Sequence, residues 1–227
     1  MRGWFTAFAA LSLALGAAAC QGQAYAAENI VRAPVAQRQA EEGSSLKTAI
    51  FAGGCFWGVE AVFSHVKGVK SVIAGYHGGS RADATYGRVS TGRTGHAEAV
   101  KVVYDPSKVR YDQLLQIFFS VVADPTLTNR QGPDIGKQYR SALVPQSSEQ
   151  RIVARMYLKQ MQASGKWPSR IVTPIENPRT FYRAEQYHQD FGIKHPHNGY
   201  FLRWDAPKIA ALKKLYPKLY RASFVIN

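Results

Sequence analysis

The chain has 227 residues, 46% apolar and 19% charged, with a formal net charge of +14. That length supports one good core but not clearly two, and the composition excludes extensive disorder beyond the ends. The positive charge could attract nucleic acid or anionic surfaces, but there is no basic arm and no nucleic-acid motif. It reads as a solvated basic surface, with no nucleic-acid partner expected.

The first segment reads as a targeting signal. "MRG" supplies a positive start, Trp4 to Ala19 an apolar stretch, and "AYA", Ala24 to Ala26, a small-residue cleavage site. The stretch is short for a membrane-spanning helix, which needs ~20 apolar residues. Residues 1–26 are therefore expected to be a signal peptide. In an alternative reading, "AAAC", Ala17 to Cys20, is a lipoprotein box, although Ala17 stands where leucine is usual. Both readings place the mature protein outside the cytoplasm, in the periplasm or cell envelope. Residues 27–45 lack a clean period and predict a flexible linker.

The folded domain is expected over 46–220. "LKTAIFA" predicts a short buried strand. After Gly53 and Gly54 the period changes: Phe56, Val59, Val62, Phe63 and Val66 fall at helical spacing. "VKSVIAG" predicts a second strand and Tyr76 to Gly95 a long polar loop. "HAEAVKVVYD" predicts a third strand, with His96, Glu98, Val100, Val102 and Tyr104 on one face. Tyr111 to Val122 predicts a helix and "YRSALVP" a fourth strand. Ser147 and Gln150 form a candidate capping box for a long helix ending near Gly165. "RIVTPI" predicts a further strand, "FYRAEQYHQDF" a short helix and "APKIAALKKLY" a terminal helix. The order β-α-β-β-α-β is that of a ferredoxin-like core. The expected class is α+β: a two-layer sandwich with a ferredoxin-like βαββαβ core, C-terminal extensions and one mixed sheet.

If Cys20 is removed or lipidated, Cys55 is the remaining thiol, so neither an internal disulfide nor a cysteine metal cluster can form. It follows a strand and two glycines and opens a helix, where free N–H groups favour a thiolate and a lowered pKa. The competing reading is a small buried hydrophobe. Glu98 shares its strand face with Val100 and Val102, so its carboxyl should be hard to ionise and available as a general acid. The competing reading is a solvated glutamate at a frayed strand start. His188, His195 and His197 lie close in sequence, but Pro196 makes that segment extended and no metal site is expected. Tyr200, Phe201 and Trp204 read as packing.

"GCFWG", "GYHGG", "TYGRVSTGRTGHAEAV" and "DIGKQYRSALV" together resemble the peptide methionine sulfoxide reductases of the A type, over about Leu46 to Pro217. The resemblance implies that Cys55 is the nucleophile and Glu98 the acid. It implies that Phe56 and Trp57 hold the methyl group of the sulfoxide, and that Tyr86 and Tyr139 bind its oxygen. Asp134 would complete a polar network. It further implies action on the S epimer, in oxidised proteins or free methionine sulfoxide, with no metal and no bound cofactor.

Many relatives carry a second cysteine in a C-terminal "GYC". Here the sequence reads "NGYF", with Phe201 at that place, so the chain resembles the one-cysteine branch. A sulfenic acid on Cys55 would then need an external thiol such as thioredoxin, glutaredoxin or glutathione. A monomer is expected. Two other readings stay open at this point: a cysteine hydrolase or acyltransferase with a histidine base, and a non-catalytic envelope protein that binds anionic surfaces.

Overall fold

The computed structural model describes residues 30–227. The signal-peptide and lipoprotein expectations, and Cys20 with them, lie outside the described residues. The strands are β1 (Lys47–Gly53), β2 (Val69–His77), β3 (Ala97–Tyr104), β4 (Arg130–Gln131), β5 (Asp134–Ile135), β6 (Ser141–Val144) and β7 (Phe181–Arg183). The helices are α1 (Phe56–Ser64), α2 (Tyr86–Val89), α3 (Tyr111–Ile117), α4 (Ser148–Ala163), α5 (Phe191–Lys194) and α6 (Ala206–Leu215). A π-helical turn, Phe118–Val122, extends α3, and a second, Phe201–Asp205, runs into α6.

Five strands form one sheet in the order β6-β1-β3-β2-β7. The first four are the expected ferredoxin-like arrangement, and β7 adds an edge beside β2. Every strand pair is antiparallel, so the sheet is not mixed as expected. Alternation divides its two faces. Ala49 and Phe51 of β1, with Val100, Val102 and Tyr104 of β3, face the main core with α1 and α3. Phe51 stacks on Phe63 at 4.9 Å and on Tyr111 at 6.0 Å. Ile50, Ala52, Ala97, Ala99, Ala142 and Val144 form a thinner cluster on the other face, against Phe181.

Three expectations need correction. "RIVTPI" forms no strand: Leu143 donates to Pro174 O at 3.0 Å and accepts from Glu176 N at 2.9 Å, giving one isolated parallel bridge. Pro174 has no N–H with which to continue a ladder. "FYRAEQYHQDF" is not one helix. Its first residues pair as β7 with β2, Tyr182 opposite Tyr76, and a tight turn at Gln186–His188 precedes α5. Of the flexible linker, the described part, 30–45, is a packed strap without regular structure. Ala33, Ala36 and Ala40 are buried, and Glu42 accepts from Tyr104 Oη, from Tyr111 N at 3.2 Å and from Gln150 Nε2 at 3.1 Å.

The long helix is capped as expected on one side only. Ser147 Oγ accepts from Gln150 N at 3.1 Å, but the Gln150 side chain accepts from Gln146 N at 2.8 Å instead of returning to Ser147. Gly165, at φ +65°, follows the end of α4.

Candidate active site

The site collects at the end of β1, where it passes into α1. β1 ends at Gly53, and Gly54 turns the chain at φ +88°, where a Cβ would also lie 2.7 Å from Gln131 Cβ. Only glycine meets both demands. The next residue, Cys55, is the N-cap of α1 and is partly exposed. Glu98 enters on β3, opposite Tyr76 of β2, and is 2% exposed. Its Oε2 accepts from Phe56 N at 3.0 Å, so a free N–H of the first turn of α1 binds the carboxyl of Glu98.

Tyr86 opens α2, and its backbone N–H donates to Glu185 Oε1 at 2.8 Å. Tyr139 ends the tight turn that precedes β6. The neighbouring Gln138 donates to Ser90 O at 3.1 Å, which ties that turn to the end of α2. Asp134 sits on β5, in the short hairpin held by Gln131, whose side chain pairs with both backbone groups of Asp124 at 2.8 and 2.9 Å. The two aromatics after the thiol differ in setting. Trp57 is partly buried and stacks on Phe191 at 3.5 Å, nearly parallel. Phe56 is 1% exposed, enclosed in the core against Tyr76 and His188, so Trp57 is the more open of the pair.

The electrostatics keep protons in the site. Burial raises the carboxyl of Glu98 to about 8; the Phe56 N–H opposes this, while Asp134 and Asp205 add to it. Burial likewise raises the carboxyl of Asp134. The phenols of Tyr86 and Tyr139 are raised by burial first and then by Glu98, and both also feel Cys55 and Asp134. The expectation for the thiol is overturned. Cys55 is raised well above its ordinary value, first by burial and then by Glu98, Asp205 and Asp134, and the Trp57 backbone N–H does not offset them. Burial, reinforced by three nearby carboxyls, outweighs the helix terminus.

Two residues belong to the site that the sequence reading left out. Tyr200 does more than pack: its hydroxyl donates to Asp134 Oδ2, and its ring meets the edge of Trp57 at 6.0 Å. Asp205 is fully buried beside α1, 3.8 Å from the ammonium of Lys208. A Cβ on Gly58 would lie 2.1 Å from its Oδ1, so the missing side chain of Gly58 makes room for the carboxylate. "FWG" offered this as a signal, since a glycine inside a helix costs stability unless something needs the space.

The three C-terminal histidines do not gather. His188 is buried against Trp57, whereas His195 and His197 are exposed. His96 is engaged at both ring nitrogens, by Gly79 N at 3.2 Å and Ser80 O at 2.8 Å. His188 is engaged by the Trp57 indole and His96 by Gly79 and Ser80, so the hydrolase reading, which needs a histidine base directed at Cys55, is not favoured.

Comparison with known proteins agrees with this geometry. The family model described as peptide methionine sulfoxide reductase matches residues 47–219. A curated relative, peptide methionine sulfoxide reductase MsrA 2 of Mesorhizobium japonicum, is 54% identical over 174 residues, covering 77% of this chain and 89% of its own. MsrA of Deinococcus radiodurans is 46% identical over 176 residues, covering 78% and 85%. Among solved structures, reduced Mxr1 of Saccharomyces cerevisiae superposes with a TM-score of 0.59 at 32% identity, covering 71% of this chain and 92% of its own. Methionine sulfoxide reductase A of Corynebacterium diphtheriae gives 0.57 at 31%, covering 75% and 84%. The chain belongs to the peptide methionine sulfoxide reductase family, as an oxidoreductase of the MsrA type.

Proposed function

We propose that the protein reduces the S epimer of methionine sulfoxide, free or within oxidised proteins, with Cys55 as nucleophile and Glu98 as proton donor. The observation that carries this reading is the partly exposed thiol at the start of α1, ringed by groups that hold their protons: Glu98 at about 8, and the phenols of Tyr86 and Tyr139. A sulfoxide oxygen bears partial negative charge and must leave its sulfur. Neutral O–H donors in a partly dry site serve that oxygen better than water does.

Burial, ahead of the nearby carboxyls, disfavours a thiolate at Cys55. Attack by the Cys55 thiol on sulfur is therefore coupled to proton delivery onto the oxygen, chiefly from Glu98, which regains a proton from the thiol; the S–O bond and the new Sγ–S bond then break as the hydroxyl passes to Sγ. The methyl carbon on sulfur is electron-poor and suits the edge and face of Trp57, with Phe56 behind it. Asp134, held by Tyr200, orients the polar side of the pocket.

The products are methionine and a sulfenic acid on Cys55. No cysteine follows Cys55, and Phe201 is buried against Ala61 and Phe191, so an external thiol such as thioredoxin, glutaredoxin or glutathione completes the cycle on a monomer. Export to the periplasm or envelope, by cleavage after Ala26 or as a lipoprotein through Cys20, fits the N-terminal sequence. The test is incubation of the purified protein with each sulfoxide epimer and a dithiol. Methionine should form from the S epimer, and formation from the R epimer instead refutes the assignment.

A further inference from the structure

We propose that His188 is the positioning residue for the Trp57 indole, fixing which edge of that ring faces the substrate methyl group by accepting its N–H. This rests on the reductase reading above. The indole Nε1 of Trp57 lies 3.1 Å from His188 Nδ1. An indole nitrogen can only donate, so Nδ1 accepts and the imidazole proton sits on Nε2. His188 is 1% exposed, and Nε2 is buried without a hydrogen-bond partner. The ring is enclosed by Phe56 at 4.9 Å, Tyr86 at 4.6 Å and Tyr187 at 4.1 Å. A histidine kept for packing would be expected to satisfy both nitrogens or to give way to an apolar ring. Here one polar atom is left orphaned while the other is spent on Trp57.

The bond supplies what stacking cannot. Phe191 covers the indole face at 3.5 Å with only 2° between planes. A stack fixes the plane, but the torsion that turns an aromatic ring is roughly two-fold, so a flipped indole would keep the same stack. The hydrogen bond to His188 distinguishes the two states. Both partners are themselves held. Glu60 accepts from Asp190 N at 3.0 Å and Phe191 N at 3.3 Å, and the Gln189 side chain clasps Ala74 N at 3.1 Å and Ala74 O at 3.0 Å. The segment from Gln186 to Phe191 is thereby tied to α1 and β2, and it grips Trp57 by edge and by face.

The test uses His188→Phe, which removes the acceptor, and His188→Asn, whose side-chain oxygen can take the place of Nδ1. The readouts are the 1H–15N indole resonance of Trp57, assigned through Trp57→Phe, its hydrogen exchange, and steady-state kinetics with methionine sulfoxide. In His188→Phe the resonance should shift and exchange faster, and KM should rise about tenfold, the size of one lost hydrogen bond, with kcat within about twofold. His188→Asn should recover the protected resonance and most of the KM. In a Trp57→Phe background, His188→Phe should change KM by less than about twofold. An unshifted, protected indole resonance in folded His188→Phe would overturn the proposal. So would equal KM defects in the Asn and Phe variants at equal melting temperature, or an undiminished effect without Trp57. Should His188→Phe fail to fold, His188→Asn with and without Trp57 decides. The indole readouts need no turnover, so an inactive wild-type protein refutes the reductase reading and leaves them to decide the role of His188.

Discussion

The buried carboxyl of Glu98 accepts a hydrogen bond at 3.0 Å from the backbone N–H of Phe56, the residue that follows the thiol of Cys55. The first turn of α1 thus anchors this carboxyl, which the proposed mechanism uses as the acid. Replacing Glu98 by Gln should keep the fold and substrate binding but slow the chemical step by about 10²–10⁴-fold. Single-turnover rates under saturating sulfoxide check this, and a rate equal to wild type would assign the acid to another group.

The same carboxyl sets a pH dependence. Glu98 is protonated below about 8, so kcat/KM should fall as pH rises through that value, and Glu98→Gln should lose that limb. Stability follows the same titration. The folded state holds this proton from an ordinary carboxylate value near 4.5 up to about 8, whereas the unfolded chain releases it. The wild type therefore loses stability as pH rises through that window. Glu98→Gln should melt higher than wild type at pH 8, by about 2–4 °C for each kcal/mol relieved, with the advantage gone below pH 4.5. Melting curves at pH 4, 6 and 8 measure it.

Gly58→Ala tests the fit between α1 and the buried Asp205 carboxylate. The new Cβ would lie 2.1 Å from Oδ1, and the short aspartate side chain is fully buried with little room to yield. The variant should lose about 1–3 kcal/mol by overpacking, despite the better helix propensity of alanine, and should lower activity by shifting the first turn of α1, which carries Cys55 at its N-cap. Urea unfolding and turnover rate report the two effects.

The N-terminal strap should contribute to stability and not only tether the domain. A chain beginning at Leu46 exposes the surface under Ala33, Ala36 and Ala40 and strips Glu42 from Tyr104, Tyr111 and Gln150. Its urea midpoint should fall well below that of a chain beginning at Ala27. Equal midpoints would show that the strap adds nothing.

How much of this could be read from the sequence depended on period and on partners. Strands and helices with a clean period, such as β3 with its alternation and Phe56 to Val66 with its helical spacing, were legible. Elements that owe their shape to a distant partner were not. Phe181, Ala184 and His188 sit at near-helical spacing, yet Phe181 pairs with His77 across the edge of β2. The strap has no period because it runs over the core as single contacts. In the site, the resemblance pointed to Cys55, Glu98, Tyr86, Tyr139 and Asp134 by motif. Tyr200 and Asp205 reach it from the far end of the chain, where neither spacing nor residue type marks Tyr200 as a site aromatic, and Asp205 is signalled only indirectly by Gly58. The direction of the thiol shift was misread because a helix terminus is local in sequence, whereas the burial that outweighs it, and the three carboxyls that add to it, arise only in the fold.

Cys55→Ser removes the single cysteine among the described residues and should abolish reduction with little change in melting temperature. Retained turnover in the purified variant would place the chemistry elsewhere.

The most direct test of the central claim is a single turnover without reductant, read by intact mass and methionine yield. The account predicts one methionine per chain from the S epimer and a protein heavier by one oxygen, located at Cys55. More than one methionine per chain, or a protein lighter by two hydrogens from an internal disulfide, would contradict it.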